Sequence, residues 1–199
     1  MARRIGHIMG VCIFALLGAN LAPTLGQAQT AFVLGGGLAD DCYQAVKRSA
    51  PNRSARALCD RALETEALSR HDLAATLVNR GITALRGQQG VSALTDFDAA
   101  LRQDPAFSAA FLNRAGAYLL LGRWLDAKVD ADTALGIGLK EDAWAAHFNK
   151  GVALENLGQV ADAFSAFQRA AELAPTQEVV RTELARFRVE RPSPAVNRP

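Results

Sequence analysis

Residues 79–105 read NRGITALRGQQGVSALTDFDAALRQDP, and the same pattern returns twice further along the chain. Asn79-Arg80-Gly81 recurs 34 residues later as Asn113-Arg114-Ala115 and, after a further 36 residues, as Asn149-Lys150-Gly151. A period of this length indicates an array of structural repeats, each too small to bury its apolar face alone.

Other residue types keep the same offsets within the repeats. Two alanine positions recur as Ala93, Ala127, Ala163 and as Ala100, Ala134, Ala170, and Phe97 recurs as Phe167. Small residues let two helices approach closely, and large ones fill the space that remains. Pro105 and Pro175 close the first and third units, since proline cannot continue a helix.

Each unit is predicted to be two amphipathic helices joined by a short turn. In the first unit the helical pattern runs from Ala74 to Arg86 and again from Val91 to Arg102, and Gly87-Gln88-Gln89-Gly90 interrupts it. Half of the chain is apolar but only 7% is aromatic. This composition favours helices packed through small residues, and we expect an all-α fold.

The period and these residues resemble the tetratricopeptide repeat family over about Ala74 to Pro175. Three departures fall in the second unit, where Ala115 replaces the usual Gly, Ala131 the usual large residue and Leu139 the usual Pro. The resemblance implies a right-handed superhelical solenoid of antiparallel helix pairs. It also implies a non-catalytic protein that binds a protein or peptide partner.

On this basis the helical domain is predicted to span 39–190. It would hold a degenerate helix pair at 39–70, repeats at 74–107, 108–143 and 144–177, and a capping helix at 176–190. Ser69 to Asp72 offer caps for the first full repeat. Residues 29–38 are expected to be a flexible leader and 191–199 a disordered tail.

Residues 1–28 show the order of a secretory signal peptide. Arg3 and Arg4 precede an apolar run from Ile8 to Ala22, and small residues follow Pro23. The alternative is a membrane anchor, but the run is short for the ~20 apolar residues that span a bilayer. We therefore expect a periplasmic or secreted protein with no membrane span after cleavage.

Removal of this segment changes both the charge and the cysteine count. Without Arg3 and Arg4, 20 Lys and Arg face 20 Asp and Glu. The neutral remainder gives no reason to expect a nucleic-acid partner. Cys42 and Cys59 remain as an even pair on two predicted helices, and an oxidising compartment favours a disulfide between them. Two buried free thiols are the alternative.

One set of polar residues stands out on the first helix of each unit. Asn79, Asn113 and Asn149 share a register, although asparagine is a mediocre helix former. The resemblance implies that this register faces a concave groove, where amides could hold a partner's backbone. The alternative is a structural ladder between repeats. The apolar residues expected around them are Val78, Ile82, Leu112, Leu119, Phe148 and Val152.

Signs of catalysis or of a metal site are weak. His71 has the position of a capping or surface residue, and His147 that of a semi-buried one. The carboxylates of Asp96-Phe97-Asp98 and Asp130-Ala131-Asp132 are interpreted as solvated helix faces without calcium-loop spacing. We predict no catalytic residue, no metal and no cofactor.

The favoured function is a protein-interaction module of the bacterial cell envelope that binds a peptide or helix in its groove. The second hypothesis is a structural subunit that assembles through its convex face or with its own copies. An enzyme is the third and least favoured, because no nucleophile–base set is visible. No terminal-carboxylate clamp is expected in the groove, because the matching positions are mostly apolar or Ala.

Overall fold

The computed structural model describes residues 33, 36–50 and 52–189, apart from the side chains of 188 and 189. Over this part of the chain there are nine helices and no strand, which confirms the all-α prediction. The helices are α1 Leu38–Lys47, α2 Asn52–Thr65, α3 Arg70–Arg86, α4 Gly90–Gln103, α5 Ser108–Leu120, α6 Trp124–Ile137, α7 Ala143–Asn156, α8 Val160–Leu173 and α9 Glu178–Val189.

Consecutive helices pack as pairs, and the pairs stack into a solenoid. α1 packs on α2, α3 on α4, α5 on α6 and α7 on α8, while α9 covers α8. The first helices of neighbouring pairs also contact one another, so that α1, α3, α5 and α7 form a row. The predicted tetratricopeptide-like solenoid is confirmed.

A glycine and a phenylalanine fit together inside the first and third repeats. A Cβ added at Gly81 would lie 2.5 Å from Cε1 of Phe97, and one added at Gly151 would lie 2.7 Å from Cε1 of Phe167. The second repeat has Ala115 and Ala131 at these two positions. The two departures are therefore a matched pair: the larger residue on the first helix accompanies the smaller one on the second.

The turns inside the repeats use a left-handed residue at one fixed position. Gly122 has a φ of 71° and Gly158 a φ of 77°, and in the first repeat the equivalent residue is Gln88, with a φ of 60°. The glycines that flank Gln88 do not have positive φ in this turn. A side chain in this conformation costs roughly 1–2 kcal/mol, so the first turn carries backbone strain that the other two avoid.

Two helices have ends that differ from the sequence prediction. α3 begins at Arg70, four residues before Ala74, because Ser69 Oγ accepts a hydrogen bond from the Asp72 amide at 3.1 Å. α2 ends at Thr65, whereas the first helix pair was predicted to reach residue 70. The hydrogen bond to Ser69 satisfies an amide that has no partner within α3.

The predicted segments outside the repeats are only partly described. α9 lies within 176–190, with Val180 fully buried and the Phe187 ring 5.6 Å from that of Phe167. In the predicted leader, Val33 is 2% exposed, and α1 already begins at Leu38. The predicted signal peptide 1–28 and tail 191–199 lie outside the described residues.

Candidate interaction site

The residues predicted to line the groove all lie on the first helices of the three repeats. α3 carries Val78, Asn79 and Ile82, α5 carries Leu112, Asn113 and Leu119, and α7 carries Phe148, Asn149 and Val152. Leu119 is 4% exposed and Val152 is half-buried, while the other side chains are at most 2% exposed. The structure thus places the predicted set on one row of helices, but most of its members lie below the surface.

The three asparagines are buried in the same way in each repeat. Asn79, Asn113 and Asn149 are 0%, 2% and 1% exposed. Asn113 Nδ2 donates to the Ala109 carbonyl of its own helix at 2.8 Å. A partner could reach these amides only after the side chains above them moved, so their role in binding stays a prediction.

The N-terminal helix pair is joined by a disulfide and by a cap. Cys42 on α1 and Cys59 on α2 are bonded, with their Cα atoms 4.8 Å apart, and both are fully buried. Glu66 accepts hydrogen bonds from the amides of Leu38 at 2.6 Å and Ala39 at 2.9 Å. A carboxylate suits a helix N-terminus, but nothing local in the sequence indicated a cap supplied from 28 residues away.

A ladder of ion pairs runs between the helices, and sequence reasoning missed it. Arg80 Nη2 lies 2.6 Å from Asp96 Oδ1 on α4, and its Nη1 lies 3.0 Å from Asp60 Oδ1 on α2. Arg80 therefore joins its own repeat to the preceding helix pair. We call this series, with its equivalents in the next two repeats, the ion-pair ladder.

The second repeat forms the same arrangement. Arg114 Nε lies 2.7 Å from Asp130 Oδ2, and Arg114 Nη1 lies 2.7 Å from Asp98 Oδ1. Asp96 and Asp130 are each 4% exposed. The interpretation of Asp96 and Asp130 as solvated carboxylates was therefore wrong, because each of them pairs with an arginine of its own repeat instead of with water. The signal was available in the sequence as Arg and Asp 16 residues apart in both repeats.

Burial and ion pairing have opposite effects on the pKa of Asp130 in this ladder. Burial raises the pKa of Asp130, although hydrogen bonding and charge from Arg114 act to lower it. The pKa of Arg114 is raised, mainly by its hydrogen bond with Asp130. Because the carboxylate is costly to desolvate, the arginine is needed to keep it in place.

The third repeat carries a different set of charges. Lys150 takes the place of the arginine, and Ala166 takes that of the buried aspartate. Lys150 Nζ lies 2.6 Å from Asp132 Oδ1, and Lys128 Nζ lies 3.0 Å from Asp132 Oδ2. A cavity of about 350 Å³ opens here between α7 and α8, lined in part by His147 and Arg169.

The two histidines considered in the sequence analysis lie among packing residues. The His71 ring packs against Phe107 at 5.6 Å, and burial lowers the pKa of the half-buried His147. Within the described ranges, no group of three His, Cys, Asp or Glu residues could hold a metal ion. None of the helices seen in these ranges is long and apolar enough to cross a membrane.

Comparison with known families shows which class of repeat this is. Residues 78–131 and 144–177 match profiles described as tetratricopeptide repeat. The chain therefore carries tetratricopeptide repeats at these positions, and other proteins with such repeats mediate protein–protein interactions. A comparison with curated proteins gives no match.

Solved structures of the same fold come from plant, human and bacterial proteins. The tetratricopeptide domain of Arabidopsis OM64 is 25% identical, with a TM-score of 0.57 over 61% of this chain and 98% of that domain. The second such domain of human RPAP3, solved with an HSP70 peptide, is 23% identical, with a TM-score of 0.55 over 60% of this chain and 98% of its own. MamA from Desulfovibrio magneticus RS-1 is 18% identical, with a TM-score of 0.60 over 77% of this chain and 85% of its own.

Proposed function

We propose that this protein is an interaction module of the bacterial cell envelope that binds a peptide or helix of a partner protein. The observation that carries the proposal is the row of first helices α3, α5 and α7, which pack side by side across the three repeats. Such a row offers one continuous surface to an extended segment or a helix. The RPAP3 domain with its HSP70 peptide is a protein of this fold that holds a peptide.

Binding would bury apolar surface along that row. Val152 on α7 is half-buried, and it is the predicted groove residue with the most surface left for a partner. Leu120 on α5 is also partly exposed. Contact with a few such side chains supplies the affinity, and backbone hydrogen bonds to the asparagines are the predicted source of orientation.

A structural subunit that assembles through its second helices is the alternative. The observation that favours it is a set of exposed apolar side chains on α4, α6 and α8: Val91 is 70% exposed, Leu125 63%, Val129 53% and Val160 52%. Large apolar side chains that recur on one layer of a repeat array mark a contact surface.

One pair of substitutions separates these two functions. Val152→Lys changes the first-helix row, and Val129→Lys makes the same change on the second-helix layer. Cross-linked complexes would be purified from the envelope of the native host for both variants and quantified by mass spectrometry. Circular dichroism and thermal melts first establish that both variants fold like the parent chain.

The interaction module predicts that Val152→Lys loses its main cross-linked partner while Val129→Lys retains it. The reverse result assigns the binding to the second-helix layer and overturns the groove proposal. Retention of every partner by both variants contradicts both functions.

The envelope location is part of the proposal and has its own test. The apolar segment of 1–28 and the Cys42–Cys59 pair both suit export. Intact mass and N-terminal sequencing of the protein from the periplasmic fraction should give a chain that begins near residue 29 and has no free thiol. A chain that retains residues 1–28 in the membrane fraction would show that the segment is an anchor.

A further inference from the structure

The third repeat breaks the ion-pair ladder at one defined position. In the second repeat Arg114 holds two carboxylates, Asp130 from its own repeat and Asp98 from the preceding second helix. In the third repeat the residue that matches Asp130 is Ala166, which is 6% exposed and has no charge to offer. One of the two carboxylates of the pattern is therefore missing.

As a result, negative charge is in excess at this position of the second repeat and positive charge is in excess in the third. Asp132 matches Asp98 and binds both Lys150 and Lys128. Hydrogen bonds from these two lysines lower the pKa of Asp132 in spite of its partial burial, so the group is ionised at neutral pH. One cation meets two carboxylates in the second repeat, whereas two cations share one carboxylate in the third. Among Lys128, Lys150 and Asp132 one positive charge is left over, and this local excess favours a further anion.

The space for that anion is present. The cavity of about 350 Å³ lies against Ala166, within the range of small-ligand pockets. Its walls carry hydrogen-bond donors on α6, α7 and α8, which are Lys128, His147, Lys150, Ser165 and Arg169, and Gln159 adds another just before α8. Asp162 is the carboxylate that also lines it. Arg169 pairs with Glu172 at 2.7 Å, but both side chains are more than half exposed, so this pair is weak.

The geometry points to a carboxylate-binding site in this cavity, between Lys150 and Arg169 beside Ala166, filled by an Asp or Glu side chain of a partner protein. A carboxylate at this point completes the pattern that Asp96 and Asp130 complete in the other repeats. The claim that a partner protein supplies this carboxylate rests on the proposed interaction function. The cavity itself lies on the flank of α7 that faces α6 and α8, apart from the predicted groove register.

His147 provides a local readout of binding. Burial lowers the pKa of His147, and the charges of Lys150 and Arg169 lower it further, against the opposite effects of Asp132 and Glu172. A carboxylate in the cavity opposes the two cations, so it should raise the pKa of His147. The test follows the imidazole resonances of isotope-labelled protein in NMR titrations. The probes are a blocked peptide Ala-Ala-Glu-Ala-Ala, its Gln counterpart and free glutarate.

The expected result is that the Glu peptide shifts the His147 resonance and raises its pKa, and that the Gln peptide does neither. Ala166→Asp restores the aspartate of the other repeats and should weaken the Glu peptide at least about tenfold. Ala161→Asp is the matched control, since it adds the same charge at an exposed position of the same helix and should leave the affinity unchanged.

Equal binding of the Glu and Gln peptides, no binding of either, or an unaltered affinity in Ala166→Asp overturns the site. Glutarate that binds as tightly as the peptide overturns the partner as source and assigns the cavity to a small dicarboxylate. If Ala166→Asp does not fold, Lys150→Gln serves the same purpose. These titrations use no native partner, so their failure is distinct from failure of the Val152→Lys capture experiment.

Discussion

At the scale of single residues, the ion-pair ladder shows how a repeat sequence places charge inside its own structure. Asp130 is almost fully buried, and Arg114 of the same repeat pairs with it while also pairing with Asp98. Burial of two charges is offset only when both partners are present. We therefore expect the intact ladder to add little to the free energy of folding, although loss of one partner is costly.

Replacement of one partner should be far more harmful than replacement of both. Arg114→Met leaves the Asp130 carboxylate buried without its cation and should lower the free energy of unfolding by about 3 kcal/mol. The double variant Arg114→Met with Asp130→Leu should recover most of that loss. Urea unfolding at pH 7 measures both. Equal losses in the single and double variants would show that the guanidinium acts by packing alone.

An exposed ion pair supplies the control for that experiment. Arg123 Nε lies 2.7 Å from Asp126 Oδ2, and both side chains are about half exposed. Arg123→Met should leave the urea midpoint unchanged, because water and salt screen such a pair. A large loss here would mean that the urea measurement does not separate burial from charge.

At the scale of elements, a disulfide joins α1 to α2 in the structure, and the full repeats contain no cysteine. The pair contributes few large buried side chains, and its two cysteines are fully buried. A disulfide across 17 residues stabilises a fold by roughly 3 kcal/mol in the chain-entropy model. We therefore expect the bond to replace part of the packing that the degenerate pair lacks.

Loss of the disulfide should loosen the first pair and spare the later ones. In the double variant Cys42→Ala with Cys59→Ala, amide hydrogen exchange should quicken in α1 and α2, with little change in α7 and α8. The free energy of unfolding should fall by about 3 kcal/mol. Unaltered exchange in α1 would indicate that packing and the Glu66 cap suffice, and that the cysteines need not be bonded.

The start of α7 carries a carboxylate whose charge is unfavourable. Burial, and secondarily the charge of Glu141, raises the pKa of Asp142 to about 6. Because the folded-state pKa lies above the unfolded value, Asp142 contributes stability that is fully present below about pH 4. That contribution is lost as the pH rises through 6.

Asp142→Asn removes this titration. The variant should gain on the order of 1 kcal/mol over the parent at pH 7.5, after allowance for the half-exposed position of the group, and should show no gain at pH 3.5. Urea unfolding at the two pH values measures the difference. A parent chain that is more stable at pH 7.5 would show that the helix N-terminus stabilises the charge by more than burial opposes it.

At the scale of the whole molecule, the sequence determined the architecture better than the site. The recurring Asn-Arg-Gly motif and its alanines predicted repeats that must stack to bury their apolar faces, and the resemblance to tetratricopeptide repeats implied the solenoid. The burial of Asn79 and the pairing of Asp96 depend on how far neighbouring helices approach, which periodicity does not specify. The cavity beside Ala166 could not be predicted for the same reason, because it depends on how the helices around this alanine pack.

Each repeat packs mainly on its neighbours, and this arrangement predicts how the molecule responds to truncation. α9 packs on α8, where Val180 is fully buried and Phe187 meets the rings of Phe164 and Phe167. A chain that ends at Pro175 exposes this apolar face of α8 to water. Hydrogen exchange should therefore quicken most in α8, less in α7, and hardly at all in α3. Equal acceleration in all helices would mean that the array unfolds as one cooperative unit, and that α9 stabilises the distant repeats as strongly as the one it covers.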